Sequence, residues 1–304
     1  MNKILKPIVI IALGVFLIGL IGSTITTIAT GSFNILNFNT VEITESAQYN
    51  GHEISELEVN TSTVDVILIP AKTDQIDILL SGEVTKNFAE HYKLDTSVYG
   101  DKLKISVKQK GKLVFVGVNI SRVKLQVTIP EKMYEQIKIS SSTGDLEVER
   151  VLADKLALST NTGDILLKSF EGKQLQVDTQ TGDSHLHDVI AKMSIKSSTG
   201  DIEVKNSRGT IDARSSTGDI EIWMKEITED MEIYTSTGDV QINVEQAPTA
   251  ISLDFSASTG RTTANLHNIL YESKEKKNLR GRVGEGGPTV YVRSSTGDID
   301  LSLR

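Results

Sequence analysis

The chain has 304 residues, with 40 acidic against 32 basic side chains and a net charge of −8. That sign disfavours a nucleic-acid partner, which selects clustered Lys and Arg. There is no cysteine, so disulfides and lipoprotein anchoring are excluded, a usage that suits an extracellular Gram-positive protein.

Residues 1–30 read as a cytoplasmic tip and a signal anchor. Lys3 and Lys6 precede an apolar stretch from Pro7 to about Ile28, Pro7–Thr30 holds no charged residue, and the first acidic residue is Glu42. About 22 apolar residues suffice to span a bilayer as a transmembrane helix. The two lysines predict a cytoplasmic N-terminus and an extracellular C-terminal domain, single-pass in the cell membrane. A cleaved signal peptide competes, but its apolar region is usually shorter and no small-x-small cleavage site follows. Residues 31–51 are polar, rich in Asn and Thr, and read as an extracellular stalk.

Residues 52–304 read as one ectodomain, with irregular coils or a cap over 52–136. Gln75–Leu80, Lys102–Lys108 and Val123–Ile129 alternate as strands do, and Asn87–Leu94 reads as a short helical or loop excursion. Leu57, Val59, Val66 and Leu68 fit the register of the later repeat if Val64 takes its glycine position.

That repeat fills residues 137–304. A Thr-Gly-Asp corner recurs at Gly144, Gly163, Gly182, Gly200, Gly218, Gly238, Gly260 and Gly297, with Arg261 replacing one Asp. A period of about 20 residues marks a stacked solenoid. Apolar residues stand seven and five positions before each glycine, and two and four after it. Ile211, Ala213, Ile220 and Ile222 do so around Gly218, and only Ser184 and Thr262 break the pattern. An internal period of two is a half-buried strand. The fold class is therefore all-β, a parallel β-solenoid of about 18–20 residues per coil. Stacked ~4.8 Å apart, eight coils would make a rod roughly 40 Å long.

Glycine supplies a positive φ at the corner, Asp a turn acceptor, and the Thr before each glycine a candidate hydroxyl ladder. Ser207-Arg208-Gly209-Thr210 reads as a second corner within one coil. Residues 266–288 form an insertion before the last coil. Leu270–Lys277 reads as a charged, briefly helical excursion, and Arg280–Pro288 as a return loop whose Arg280 and Arg282 are candidates for meeting an anionic ligand.

With these corners, Val127-Thr128-Ile129-Pro130, Tyr134 and the loop Val283–Pro288 before Val292-Arg293-Ser294-Ser295-Thr296-Gly297-Asp298, residues 52–304 resemble the bacterial putative-adhesin repeat family, a domain of unknown function. The resemblance implies a parallel β-solenoid on the bacterial cell surface. Some similar proteins are encoded with cell-envelope stress systems, and the family offers no catalytic residues to carry over.

Candidate chemistry is sparse. Asp145, Asp164, Asp183, Asp201, Asp219 and Asp239 would stack at one corner, where like charges ~5 Å apart need relief. Ca2+ is one candidate, but the nine-residue Gly-Gly-x-Gly-x-Asp pattern of calcium-binding rolls is absent, so hydrated turn residues are the favoured reading. His185 and His187 share an outward face and could share a metal, although two histidines alone do not make a usual zinc set. Trp223, the sole tryptophan, points outward by parity. No cofactor and no enzyme are expected: the aspartates recur alike in every coil, whereas a catalytic site differs from its neighbours. The expected function is non-catalytic interaction at the cell envelope, as an adhesin, a scaffold or an envelope-stress component, with a cell-wall polymer or an envelope protein as partner. The alternatives are a polysaccharide-active β-helix enzyme and a regulatory partner of a membrane stress sensor.

Overall fold

Alternating apolar and polar residues turn every arm of the repeat into strand, and stacking gives those strands their only means of burying an apolar face. The computed structural model describes residues 40–109 and 121–304. The expected membrane span lies outside them. Among the described residues, no helix is long and apolar enough to cross a membrane.

Each coil is named here by its corner glycine. In the inner coils the strand before the corner pairs in parallel with its equivalents above and below. Ile211 faces Met231 and Ala213 faces Ile233, while Met193 faces Ile211 from the other side. The strand after the corner builds a second sheet in the same way, with Ile202, Ile220 and Val240 in line. Their inward side chains form one continuous core from Ile54 to Leu301. The strands expected around residues 75–80, 102–108 and 123–129 are present as Gln75–Thr85, Lys102–Gln109 and Ser121–Pro130. Val64 takes the glycine position of the first coil, since Val66 faces Leu146 and Leu68 faces Val148.

The corner requires glycine for two reasons, both clear at Gly218. Its φ is +143°, and a Cβ would lie 2.1 Å from the Gly200 carbonyl oxygen of the neighbouring coil. Only a residue without a side chain lets two backbones stack there.

Three features of the coil depart from the sequence reading. The first is a further corner six residues after the glycine in four coils. Arg150, Ser169, Asp188 and Asn206 adopt φ between 49° and 62°, a conformation that short polar side chains tolerate better than most. Beyond it the chain adds a short third side, on which Phe170 stacks between Val151 and Val189. The second concerns the hydroxyl ladder. The threonines before each glycine do align in register, Thr162 facing Thr181 for example, but they are exposed. The buried hydroxyls stand three residues before the glycine, at Thr160, Thr179, Ser197, Ser215, Thr235 and Ser294. By parity these positions point inward. Thr160 donates to the Gly144 carbonyl at 3.2 Å, and Thr235 to that of Gly218 at 3.2 Å. Ser215 and Ser294 reach the Gly200 and Gly238 carbonyls in the same way, so in these four coils the hydroxyl gives the turn carbonyl a partner, whereas the hydroxyls of Thr179 and Ser197 are buried without one.

The third is the order of the coils. The Gly297 coil, last in sequence, lies between the Gly238 and Gly260 coils. Its strand Thr289–Thr296 pairs with Met231–Thr237 on one side and with Ile251–Thr259 on the other. Ile299–Leu303 likewise separates Val240–Val244 from Thr262–Asn265. The insertion makes this possible. Leu270–Lys274 and Asn278–Val283 form an antiparallel hairpin, and the second of them lies antiparallel on Ile251–Thr259. Residues 270–277 are therefore strand and turn, not a helical excursion, because Leu279, Gly281 and Val283 alternate inward.

The expected stalk also needs correction. Thr40–Asn50 is an eleven-residue strand, antiparallel to Gln75–Thr85 throughout its length. Its inward Val41, Ile43, Ala47 and Tyr49 pack on the core. At this end antiparallel pairing replaces the parallel stack, and Gln75–Thr85 also pairs with Ser121–Pro130.

Candidate functional site

The aspartates after the corner glycines do stack, and their geometry assigns them a common task. Oδ1 of each accepts the backbone N–H of the corresponding residue in the next coil. Asp145 accepts from Asp164 at 2.8 Å, Asp164 from Asp183 at 2.8 Å, and Asp183 from Asp201 at 2.8 Å. Asp201 accepts from Asp219 and Asp219 from Asp239, both at 2.7 Å. The series begins at Asp65, which accepts from Asp145 at 3.1 Å. After Asp239 it passes to Asp298 at 2.7 Å and ends at Arg261, because the Gly297 coil intervenes. Arg261 donates its backbone N–H to Asp298 Oδ1 and its guanidinium to Oδ2 at 2.9 Å. These bonds to Arg261 hold the Asp298 carboxyl below the usual aspartate range. Both departures from the Gly-Asp corner therefore lie at ends of the column, and Arg261 places a cation against the last carboxylate. Charge-assisted bonds of this kind offset the mutual repulsion of the stacked carboxylates.

His185 and His187 meet Glu203 on the outer face of the second sheet. His185 Nδ1 lies 3.4 Å and His187 Nε2 3.2 Å from the same oxygen, Glu203 Oε1, while Lys205 holds the other oxygen. Burial works to raise the Glu203 pKa, but the bond from Lys205 and then that from His185 outweigh it, so the carboxyl sits below its ordinary value. The sequence reading missed Glu203. It stands three residues after Gly200, as His185 does after Gly182, so aligning outward positions coil by coil would have found it. Among the described residues, no group of three or more His, Asp or Glu side chains is placed to hold a metal ion.

Arg280 and Arg282 belong to the strand Asn278–Val283, not to a loop. The apolar alternation of that strand carries it onto Ile251–Thr259, and the true loop begins at Gly284. The Arg280 guanidinium is 3.1 Å from Asp254, which also receives Arg293 at 2.9 Å. Arg282 faces Ser252 across the pair and is exposed. The same outer face carries Arg214 over the Tyr234 ring at 4.4 Å and Arg293 over the Tyr291 ring at 3.8 Å. The two tyrosine rings are 5.6 Å apart. They are neighbours only because the last coil is intercalated, which the sequence did not signal.

A family pattern described as Toastrack DUF4097 matches residues 54–302. The chain belongs to the Toastrack family. No curated protein sequence matches it. Among solved structures, a "putative adhesin" from Bacteroides fragilis shares 18% identity at a TM-score of 0.50, covering 86% of this chain and 97% of its own. A "putative lipid binding protein" from Parabacteroides distasonis shares 15% identity at a TM-score of 0.49, covering 85% and 97%. A "putative cell adhesion protein" from Clostridium sporogenes shares 11% at a TM-score of 0.34, covering 87% and 100%. At such identities the first of these speaks for the Toastrack fold alone.

Proposed function

We propose that this Toastrack chain is a non-catalytic interaction protein of the cell envelope. Pro7–Ile28 anchors it in the membrane with its N-terminus in the cytoplasm, and the solenoid is displayed outside the cell. The observation that carries this reading is the sameness of the corner carboxylates. Each is engaged by the next coil's N–H, from Asp65 through Asp298. A general acid and base need two carboxyls in unlike surroundings. Here the variation lies instead in the Arg–Tyr lattice of the first sheet and the His–Glu–Lys cluster of the second, both surface features suited to contact. Description of the Bacteroides fragilis structure as a putative adhesin supports the same reading.

Co-sedimentation of the full-length protein with isolated cell walls tests it. Saturable pelleting is the expected result, weakened when Arg214 and Tyr234 are both changed to Ala. If nothing pellets and crosslinking in intact membranes captures no envelope protein, the reading fails. Turnover of wall glycan by the purified chain would replace it with the enzyme alternative.

A further inference from the structure

One cleft borders the His–Glu–Lys cluster at Lys205 and is otherwise built from residues with no part in it. It lies on the outer face of the second sheet, between Lys205, Trp223, Met224, Asn243, Glu245 and Arg304, with a volume of about 330 Å3. Outward side chains on a sheet face are normally wet, but Asn243 is only 2% exposed. Both its amide atoms, Oδ1 and Nδ2, are buried without a hydrogen-bond partner. So is Nε1 of Trp223, its register partner in the adjacent coil. An unpaired buried polar group costs about 1–3 kcal/mol, and folded proteins keep few of them. Here two such residues line one cleft. The Arg304 guanidinium lies over the indole, 5.0 Å from the ring centroid.

We propose that this cleft binds an acetamido-bearing sugar unit of a glycan. Asn243 offers one acceptor and one donor, which match the N–H and carbonyl of an acetamido group. Trp223 Nε1 offers a second donor for a ring hydroxyl. The indole supplies apolar surface for the C–H face of a pyranose. Arg304, exposed at the rim, is the side chain that swings aside to admit the ring. A peptide fits less well, because the main chain around the cleft is already paired. Asn206 N–H donates to the Trp223 carbonyl at 2.8 Å, Glu245 N–H to that of Met224 at 3.1 Å, and Arg304 N–H to that of Val244 at 2.9 Å. No strand edge is left there for a peptide to extend.

The site goes beyond the envelope-contact reading, and its test reports on the cleft whether or not the outer faces bind wall material. Trp223 is the only tryptophan in the chain, so its emission reads the site without a label. The full-length protein in neutral detergent is titrated with tri-N-acetylchitotriose, with cellotriose as the same backbone lacking acetamido groups, and with trialanine as a peptide probe without an acetyl group. A saturable change with the acetamido sugar alone is expected. Asn243→Leu should weaken it at least about tenfold, the equivalent of one lost hydrogen bond. Its thermal midpoint should equal or exceed the parent's, since an unpaired amide has been removed. Trp223→Phe, followed by calorimetry, keeps an aromatic face but loses the N–H, and should also weaken binding. No response at millimolar sugar, an equal response to cellotriose, or a response to the peptide instead would overturn the proposal. So would an Asn243→Leu protein that binds unchanged or is less stable than the parent.

Discussion

Replacing Gly218 by Ala tests whether close stacking of backbone on backbone sets the corner. The new Cβ would lie 2.1 Å from the Gly200 oxygen and 2.6 Å from its carbon, and both are main-chain atoms that no rotamer change can move. Real Cβ contacts begin near 3.0 Å, so the two coils must part by about 0.9 Å at this point. Four bonds join them there: Gly200 N–H to Thr217 O at 2.9 Å, Ile202 N–H to Asp219 O at 2.9 Å, Asp219 N–H to Asp201 Oδ1 at 2.7 Å, and the Ser215 hydroxyl to Gly200 O at 3.4 Å. Backbone strain of about 1–3 kcal/mol and overpacking of about 1–3 kcal/mol together predict a loss of about 4 kcal/mol. Gly286 is the control. Its φ is +72°, and nothing lies within 4 Å of its Cβ position. Ala there pays conformational strain alone, about 1–2 kcal/mol. Urea denaturation followed by circular dichroism measures both variants, and an unchanged m-value shows that the same cooperative unit unfolds. Losses within 1 kcal/mol of each other would refute the reasoning, because the inter-coil contact would then cost nothing.

Asp219→Ala should cost about 1.5–3 kcal/mol by leaving the Asp239 N–H without its charged acceptor, while Asp219→Asn keeps an oxygen there and should cost less than half of that, as urea denaturation would show. Glu58, bonded to Lys102 at 2.7 Å and also to Asn60, has its pKa lowered from 4.5 to about 2. A carboxyl held below its unfolded value stabilises the fold above pH 4.5, and that stability is lost as pH falls through about 2. Screening at this surface leaves about 1 kcal/mol, which Glu58→Gln should remove from a stability–pH curve between those limits. Deleting residues 40–50 strips four half-buried apolar side chains and bares the Gln75–Thr85 edge. Unfolding should then require about 4 kcal/mol less, and light scattering should rise as open edges associate.

Sequence legibility followed periodicity. Wherever the period of two persisted, as from Ile137 to Ile242, strands and register could be read directly, because inward parity admits few alternatives. Corners marked by glycine were equally plain. The second corners at Arg150, Ser169, Asp188 and Asn206 were not, because four different residues adopt the same φ and no shared letter announces it. Thr40–Asn50 reads as a stalk in the sequence because Glu45 takes a half-buried position between Ile43 and Ala47 and so breaks the apolar stripe of Val41, Ile43, Ala47 and Tyr49. Of the candidate site residues, the aspartate column was legible as a column but not as a set of N–H acceptors, a role set by distances between coils. Asn243 gave no signal at all, since outward polar residues are ordinary until a neighbour buries them.

The position of the final coil bears on how the protein is made. Residues 289–303 leave the ribosome after Met231–Thr237 and Ile251–Thr259, yet they occupy the layer between those two strands. Until they arrive, Met231–Thr237 and Ile251–Thr259 each wait with a bare edge. The solenoid therefore cannot grow by simple addition from its first coil to its last. The C-terminal segment acts as a keystone, and its insertion turns two separately assembled pieces into one continuous stack. Removing residues 289–303 would take out that middle layer and part Ile251–Thr259 from Met231–Thr237.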